Sequence, residues 1–511
     1  MPLTEISGLP VITAAITLNW PWLSFSTALH MLLFLLVTYH CLKERREATS
    51  ALLWIFVAWS FPVIGPAFYL SFGINRVRTK GWLKKRADQR LLGQRQQIEQ
   101  NDSPQLTYWR AVHDNSTTEP NTEFARELNA AMNAVLTDYP LLGGNNIKLL
   151  INGDEAYPRM LDAIARAKDH IHLQCFIIHN DVIGRRFLNA LAAKASQGVK
   201  VRLLYDRFGS THGVLTGFFR KYKKIENLEL AGWTQANPVK RQFQINLRNH
   251  RKVLIIDGRE AFTGGINISK RNITRAHSPP IQDYHFHVRG PIVQEMQFAF
   301  LGDWHFMTSQ DPDILLDQRY FPRVDTRGPA LVRLVNGGPS TSEKNIISDV
   351  YFTCIVSAEE DIVAATPYLV PTVDLLQAFR AAALRGVRVR LVVPEKNNHS
   401  YAGLAGQARY ETLLEAGVEI YERKPPFMHA KALVIDDSFT LVGTANLDER
   451  SLRLNYETNL AVYADDFAAE VKRAVLAEIE VSHRIDLAEW RSRPFRQRIL
   501  ENFCNLMTPI L

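Results

Sequence analysis

The hydrophobic positions of this chain fall into two regimes, long uncharged runs near the N-terminus and short periodic ones after them. From about Trp20 to Leu42 the run WPWLSFSTALHMLLFLLVTYHCL contains no Asp, Glu, Lys or Arg, and a helix needs about 20 such residues to cross a bilayer. The run is too long, and its upstream flank too poor in Lys and Arg, for a cleaved signal peptide. A second uncharged run, about Ala51 to Ile74, is interrupted by Pro62, Gly65 and Pro66, which break or kink helices. Residues 1–75 therefore read as a membrane anchor with segments at about 20–42 and 51–74. Trp20, Trp22, Tyr39, Trp54 and Tyr69 suit interfacial belts, with helix packing an equal role for Trp54 and Tyr69.

Both the connector Lys43-Glu-Arg-Arg-Glu and the run Arg76, Arg78, Lys80, Lys84, Lys85 and Arg86 are basic, and basic segments stay on the cytoplasmic side. The greater downstream charge favours a helical hairpin with both ends cytoplasmic, the other arrangement being one span plus a re-entrant segment. Either leaves the remainder of the chain inside. Residues 76–140 form a basic juxtamembrane linker with helices expected at about Trp82–Gln100 and Asn121–Val135, a solvated face that also attracts anionic headgroups.

Downstream, the pattern repeats. Gly198-Val-Lys-Val-Arg-Leu-Leu-Tyr is echoed by Gly386-Val-Arg-Val-Arg-Leu-Val-Val, each after an Ala-rich amphipathic segment, so helix then strand is predicted twice. His250-Arg-Lys-Val-Leu-Ile-Ile-Asp257 is echoed by His429-Ala-Lys-Ala-Leu-Val-Ile-Asp436, followed by Gly264-Gly-Ile-Asn267 and Gly443-Thr-Ala-Asn446. The fold class is thus α/β, with two pseudo-twofold-related lobes at 141–325 and 326–495, each a sheet flanked by helices, and a tail at 496–511. The boundary falls in the turn-rich stretch Pro322 to Pro329. Ile499, Leu500, Phe503, Leu506 and Met507 make the tail amphipathic, packing on the second lobe being favoured over lying on a membrane.

Composition narrows the picture. The 511 residues are 46% hydrophobic and 22% charged, which excludes bulk disorder. Sixty Lys+Arg against 52 Asp+Glu leave a net charge of +8, favouring nucleic acid or an anionic membrane as partner, and the uncharged N-terminal run selects the membrane. Four scattered cysteines with no CxxC spacing read as free thiols, and no zinc set is evident. His285 and His287 share a strand face but lack companion ligands and read as core or strand residues.

Alternate residues of an extended segment share a face, so His250 sits beside Lys252 and His429 beside Lys431. An acid-base group and a cation are then held together, ahead of buried strands at Val253 to Ile256 and Leu433 to Ile435. Seventeen positions beyond each His lies an Asn (250 to 267, 429 to 446) whose amide can donate to an oxyanion, and the preceding Gly residues allow a phosphate to approach the backbone. One HxKxxxxD is weak evidence; two with matching Asn residues are strong.

These residues resemble the phospholipase D superfamily, whose signature is a pair of HxKxxxxD motifs each followed by a Gly-rich turn and an Asn. The resemblance covers about 141–495. Within that superfamily the whole chain resembles the bacterial cardiolipin synthases, through the two apolar segments, Phe61-Pro-Val-Ile-Gly-Pro66, Ala365-Thr-Pro-Tyr-Leu-Val-Pro371, Phe427-Met-His-Ala-Lys431, Gly443-Thr-Ala-Asn-Leu-Asp-Glu-Arg-Ser451, Asn455-Tyr-Glu457 and the closing Leu506-Met-Thr-Pro-Ile-Leu511. Gln282-Asp283-Tyr284 departs from the Trp-Arg-Asp-like segment of the family but keeps the Asp.

The resemblance implies a phosphatidyltransferase that joins two phosphatidylglycerols through a phosphohistidine and releases glycerol. The alternatives are a membrane phospholipase D yielding phosphatidic acid and, further off, a phosphodiesterase or nuclease. By family habit His250 is the nucleophile and His429 the acid/base. Lys252, Lys431, Asn267 and Asn446 surround the nonbridging oxygens, and Asp283 and Glu457 orient the imidazoles. Asp257 and Asp436 complete the motif set and read mainly as structural, lying at the far strand ends. No metal or cofactor is required, and no nucleic acid is expected. The implied site of action is the bacterial inner membrane, with the catalytic part cytoplasmic and anionic lipids as partners.

Overall fold

The computed structural model describes residues 20–43, 48–73, 76–100, 119–233, 248–274, 279–339, 345–506 and 508. The connector at 44–47, the linker stretch 101–118, Met507 and the last three residues lie outside the described residues. The chain divides into two compact units, Met1–Arg76 and Val77–Leu511.

In the first unit, α1 (Trp20–Lys43) is long and apolar enough to cross a membrane. It pairs antiparallel with α2 (Ala48–Ser60): Phe34 packs on Trp59, while Val37 and Cys41 share a buried cluster with Ala58 and Tyr69. At roughly 1.5 Å per residue α2 reaches only about 20 Å, short of the ~30 Å hydrocarbon core. After it the chain turns at Phe61 to Val63 and runs back through Ile64–Phe68 and Tyr69–Gly73. The Trp54 and Tyr69 rings meet at 5.5 Å, and the Tyr69 hydroxyl lies 2.6 Å from His40 Nδ1. Within this unit the second apolar segment folds back after α2 instead of forming a second long helix, the course that the one-span alternative describes. Pro62 and Pro66 withhold backbone donors, and a Cβ on Gly65 would stand 2.2 Å from the Val57 carbonyl, so glycine permits the tight return. Trp54 and Tyr69 are packing residues.

The second unit is built on one fifteen-stranded sheet. Its first half comprises β1 (Leu141–Ile151), β2 (His170–Cys175), β3 (Lys200–Asp206), β4 (Leu228–Trp233), β5 (Val253–Ile256), β6 (Glu260–Gly264) and β7 (Tyr284–Arg289). The second comprises β8 (Ala330–Gly337), β9 (Asp361–Ala365), β10 (Arg388–Pro394), β11 (Glu419–Arg423), β12 (Ala432–Ile435), β13 (Phe439–Gly443), β14 (Glu457–Tyr463) and a short β15 (Ser482–Arg484). The order is β15-β11-β10-β9-β12-β13-β14-β8-β1-β7-β6-β5-β2-β3-β4. Antiparallel pairing of β1 with β8 (Leu142↔Val332) joins two halves of matching order about a pseudo-twofold axis, β15 being an extra edge strand of the second.

Helices cover both faces, as strands apolar on both sides require. Asn152–Arg166 and Val182–Ser196 cover one face of the first lobe, and Ile346–Ser357 and Val373–Leu384 the corresponding face of the second. Ile292–Thr308 and Asp465–Glu480 fill the opposite faces, where Phe286, Trp304, Val332, Val434 and Phe467 form a core continuous across both lobes. The tail helix Phe495–Leu506 packs on Ser400–Leu414 and is fixed by a buried Arg493–Glu501 ion pair at 2.9 Å.

The linker helix Arg76–Gln100 is not a solvated basic rod throughout. Lys84 and Arg95 are buried and pair with fully buried carboxylates of Ile292–Thr308, Lys84 Nζ with Asp303 Oδ1 and Arg95 Nη2 with Glu295 Oε1, each at 3.2 Å. Charges taken out of water persist only when so paired. All four cysteines are free.

Candidate active site

Each histidine precedes a wholly buried strand, His250 and Lys252 before β5, His429 and Lys431 before β12. The segments that carry them are held by the opposite lobe. Phe427–Met428 pairs in parallel with Ile281–Gln282, and the next residue, His429, donates its backbone N–H to the Gln282 carbonyl at 2.7 Å. Asn249 bridges Tyr456 in the same way, and His250 N donates to the Tyr456 carbonyl at 2.9 Å. One residue further on, each imidazole meets the other lobe's carboxylate. His250 Nδ1 lies 3.0 Å from both Glu457 oxygens, and His429 Nδ1 lies 2.7 Å from Asp283 Oδ2. Holding Nδ1 fixes the ring and leaves Nε2 for chemistry.

The two orienting acids occupy matching positions and are supported differently. Thr444 Oγ1 donates to Glu457 at 2.5 Å and Asn455 Nδ2 at 3.2 Å. In the first lobe the residue matching Thr444 is Gly265, where a Cβ would stand 2.1 Å from Asp283 Oδ1. The glycine expected to admit a phosphate instead makes room for the shorter acid.

Both lysines fold back toward their own histidines: Lys252 Nζ donates to the His250 carbonyl at 2.6 Å, and Lys431 Nζ to that of His429 while lying 2.8 Å from its Nδ1. Burial lowers every cation here. Lys252 falls to about 8 and Lys431 to about 7. Burial and then the Lys431 charge bring His429 to about 4; burial and then Lys252 and Lys431 hold His250 well below the ordinary imidazole value. Burial raises Glu457 to about 7. Each lysine perturbs the other lobe's histidine, so the two sets form one electrostatic unit.

His250, His429, Asn267 and Asn446 line a single cavity of about 200 Å³ with Phe176 and Tyr368. Asn267 Oδ1 accepts from Ile177 N at 3.1 Å, and Asn446 spends one N–H on Asp448 Oδ2 at 2.9 Å, so each amide retains a further N–H. Asp257 and Asp436 stand apart from the cavity. Asp257 accepts from the backbone N–H groups of Lys168, Asp169 and His170 at 2.8–2.9 Å, and Asp436 from those of Glu359, Glu360 and Asp361 at 2.8 Å. The motif carboxylates therefore fasten the turn that leads into the strand paired with each motif strand. His285 is buried and lowered to about 3 by burial, while His287 Nε2 lies 2.7 Å from Glu260 Oε1. Among the described residues no cluster of metal ligands occurs.

Sequence reasoning missed Thr444, Phe176, Arg248 and Arg450 at this site. Their signal was position: Arg248 stands two residues before the first motif histidine, Arg450 four past Asn446.

Two imidazoles with Nε2 free and two amides lining one cavity, with a lysine folded against each histidine, are suited to phosphoryl-group transfer. Residues 160–304 and 351–477 match the family model "Cardiolipin synthase, PLD-like domain", and residues 32–73 match "Phospholipase_D-nuclease N-terminal". A cardiolipin synthase of Alkalihalophilus pseudofirmus is 34% identical over 485 residues, covering 92% of this chain and 90% of that one. The major cardiolipin synthase of Bacillus subtilis is 33% identical over 497 residues, covering 96% and 98%. A crystal structure of Haemophilus influenzae phosphatidylserine synthase shares the fold, with a TM-score of 0.58 at 15% identity over 75% of this chain and all of that one. The chain belongs to the cardiolipin synthase family of phospholipase D-like proteins.

Proposed function

We propose that the protein makes cardiolipin by moving a phosphatidyl group from one phosphatidylglycerol to a hydroxyl of another. Support comes from the family and from one observation above all: two buried histidines, each oriented by the opposite lobe's acid and each with its own motif lysine folded against it, line one cavity. His250 Nε2 attacks phosphorus, the P–O bond to glycerol breaks, and His429 gives its proton to the departing oxygen. The acceptor hydroxyl then attacks phosphorus and returns a proton to His429 as the P–N bond to His250 breaks. Lys252, Lys431, Asn267 and Asn446 stabilise the nonbridging oxygens in between.

The assignment of roles follows the family pattern. Burial holds both imidazoles below their ordinary range, and the closer carboxylate, Asp283 at 2.7 Å, lies on His429, where it favours the protonated form that the acid/base needs. Asp257 and Asp436 act through the backbone. The enzyme works at the inner membrane on the cytoplasmic side, where both basic segments of the anchor would lie. Rapid acid-free quenching with phosphatidylglycerol, followed by peptide mass spectrometry, should find the phosphatidyl adduct on the His250 peptide; an adduct on the His429 peptide reverses the roles.

A further inference from the structure

Two more cations open on the same cavity, one from each lobe: Arg248 and Arg450. The Arg248 guanidinium stacks on Phe208, 3.7 Å from the ring centroid, and its Nε is buried without a hydrogen-bond partner. Burial and then the neighbouring charge of Arg450 lower Arg248 to about 10. The nearby carboxylates Asp206 and Asp448 favour the charged arginines but are shared with other donors. Asp448 accepts from Ser451 N at 2.7 Å and Asn446 at 2.9 Å, Glu449 pairs with Arg453 at 3.2 Å, and Asp206 accepts from the Phe208, Gly209 and Asn249 backbones. Like charges held together in a partly dry cavity call for an anion.

The reacting phosphate already has Lys252 and Lys431. Phosphatidyl transfer, on which this inference rests, involves a second phosphate that does not react, that of the acceptor lipid. We infer that Arg248 and Arg450 form a subsite for the acceptor's phosphodiester, presenting its glycerol hydroxyl to the phosphatidyl-histidine. Guanidinium forks suit a phosphodiester's two oxygens. Only the acceptor oxygen bonds to the transferred phosphorus, its proton passing to His429 as the His250 P–N bond breaks; the phosphodiester at the arginines is unchanged. Water cannot use such a subsite, so it favours transfer over hydrolysis.

The test compares two reactions of full-length enzyme in mixed micelles of phosphatidylglycerol: cardiolipin formation, and exchange of labelled free glycerol into phosphatidylglycerol, whose acceptor carries no phosphate. In Arg248→Gln and Arg450→Gln the ratio of cardiolipin formation to exchange should fall at least tenfold, with partial recovery in the Lys variants; a ratio within twofold of the wild type overturns the inference. Exchange also reports that the protein is folded. Independently of any variant, wild-type enzyme should use phosphatidylglycerol as acceptor at least tenfold more efficiently than monoacylglycerol, and equal use overturns the inference. A site for free phosphate would instead show as inhibition of both acceptors alike by inorganic phosphate. Absence of cardiolipin from wild-type enzyme that still exchanges glycerol would overturn the synthase reading itself, a different failure.

Discussion

Lys431→Met should cost the protein its activity and make it more stable. Lys431 is wholly enclosed, and burial lowers it from 10.5 to about 7, a penalty on the charged form of roughly 5 kcal/mol at about 1.4 kcal/mol per tenfold step. Removing it also removes its contacts with the His429 carbonyl and ring, worth about 1–3 kcal/mol. The net expectation near neutral pH is a gain of about 2 kcal/mol or more, methionine filling a similar volume. The folded value lies below the unfolded one, so the unfolded chain holds more protons between about pH 7 and 10.5, and wild-type stability climbs with pH across that window. The variant's advantage must therefore shrink toward about pH 10. Urea unfolding of the detergent-solubilised proteins by tryptophan fluorescence, at both ends of that range, reads the difference. Transfer should fall about 100–1,000-fold, as for loss of one oxyanion donor. A variant less stable than the wild type near neutrality, or a difference that ignores pH, would refute the account of a charge held at a stability cost.

Loss of protons from Lys431 and Lys252, at about 7 and about 8, should lower kcat/KM for phosphatidylglycerol as pH rises through that range; a profile flat to about pH 9 contradicts phosphate binding by these lysines. Glu457→Gln and Asp283→Asn should each slow transfer about 100-fold or more with the fold retained, and separately produced lobes should be inactive; an active single lobe would sink the cross-lobe pairing. Asp303→Asn leaves Lys84 and Arg251 without their shared partner and should destabilise by about 3–5 kcal/mol, read by the same unfolding assay. Asp257→Ala should lose about 1–3 kcal/mol of stability through its orphaned N–H groups, with activity per folded molecule falling less than for His250→Ala.

The repeat, the strands after each motif and the His-Lys-Asn sets are legible because each is a local pattern: four apolar residues behind His-x-Lys read the same wherever the segment sits. Which acid serves which histidine is not local. It depends on Phe427–Met428 pairing with Ile281–Gln282 and Asn249 with Tyr456, contacts between lobes that no period along the chain encodes. Lys84 and Arg95 look like any solvated cation until Asp303 and Glu295, some 200 positions later, come to face them. The return of the chain after α2 was half visible in Pro62, Gly65 and Pro66, but its path is set by Tyr69 meeting His40 and Trp54. The mirrored Asp257 and Asp436 bonds show why a motif residue can be needed without touching the chemistry.

The central claim is that the cavity transfers a phosphatidyl group to a lipid hydroxyl. Incubating the purified full-length protein with phosphatidylglycerol vesicles in the presence of EDTA, and identifying the products by mass spectrometry, tests it most directly. Cardiolipin and free glycerol in equal amounts are predicted, both lost in His250→Ala and His429→Ala; phosphatidic acid in place of cardiolipin would make water the acceptor and contradict the claim.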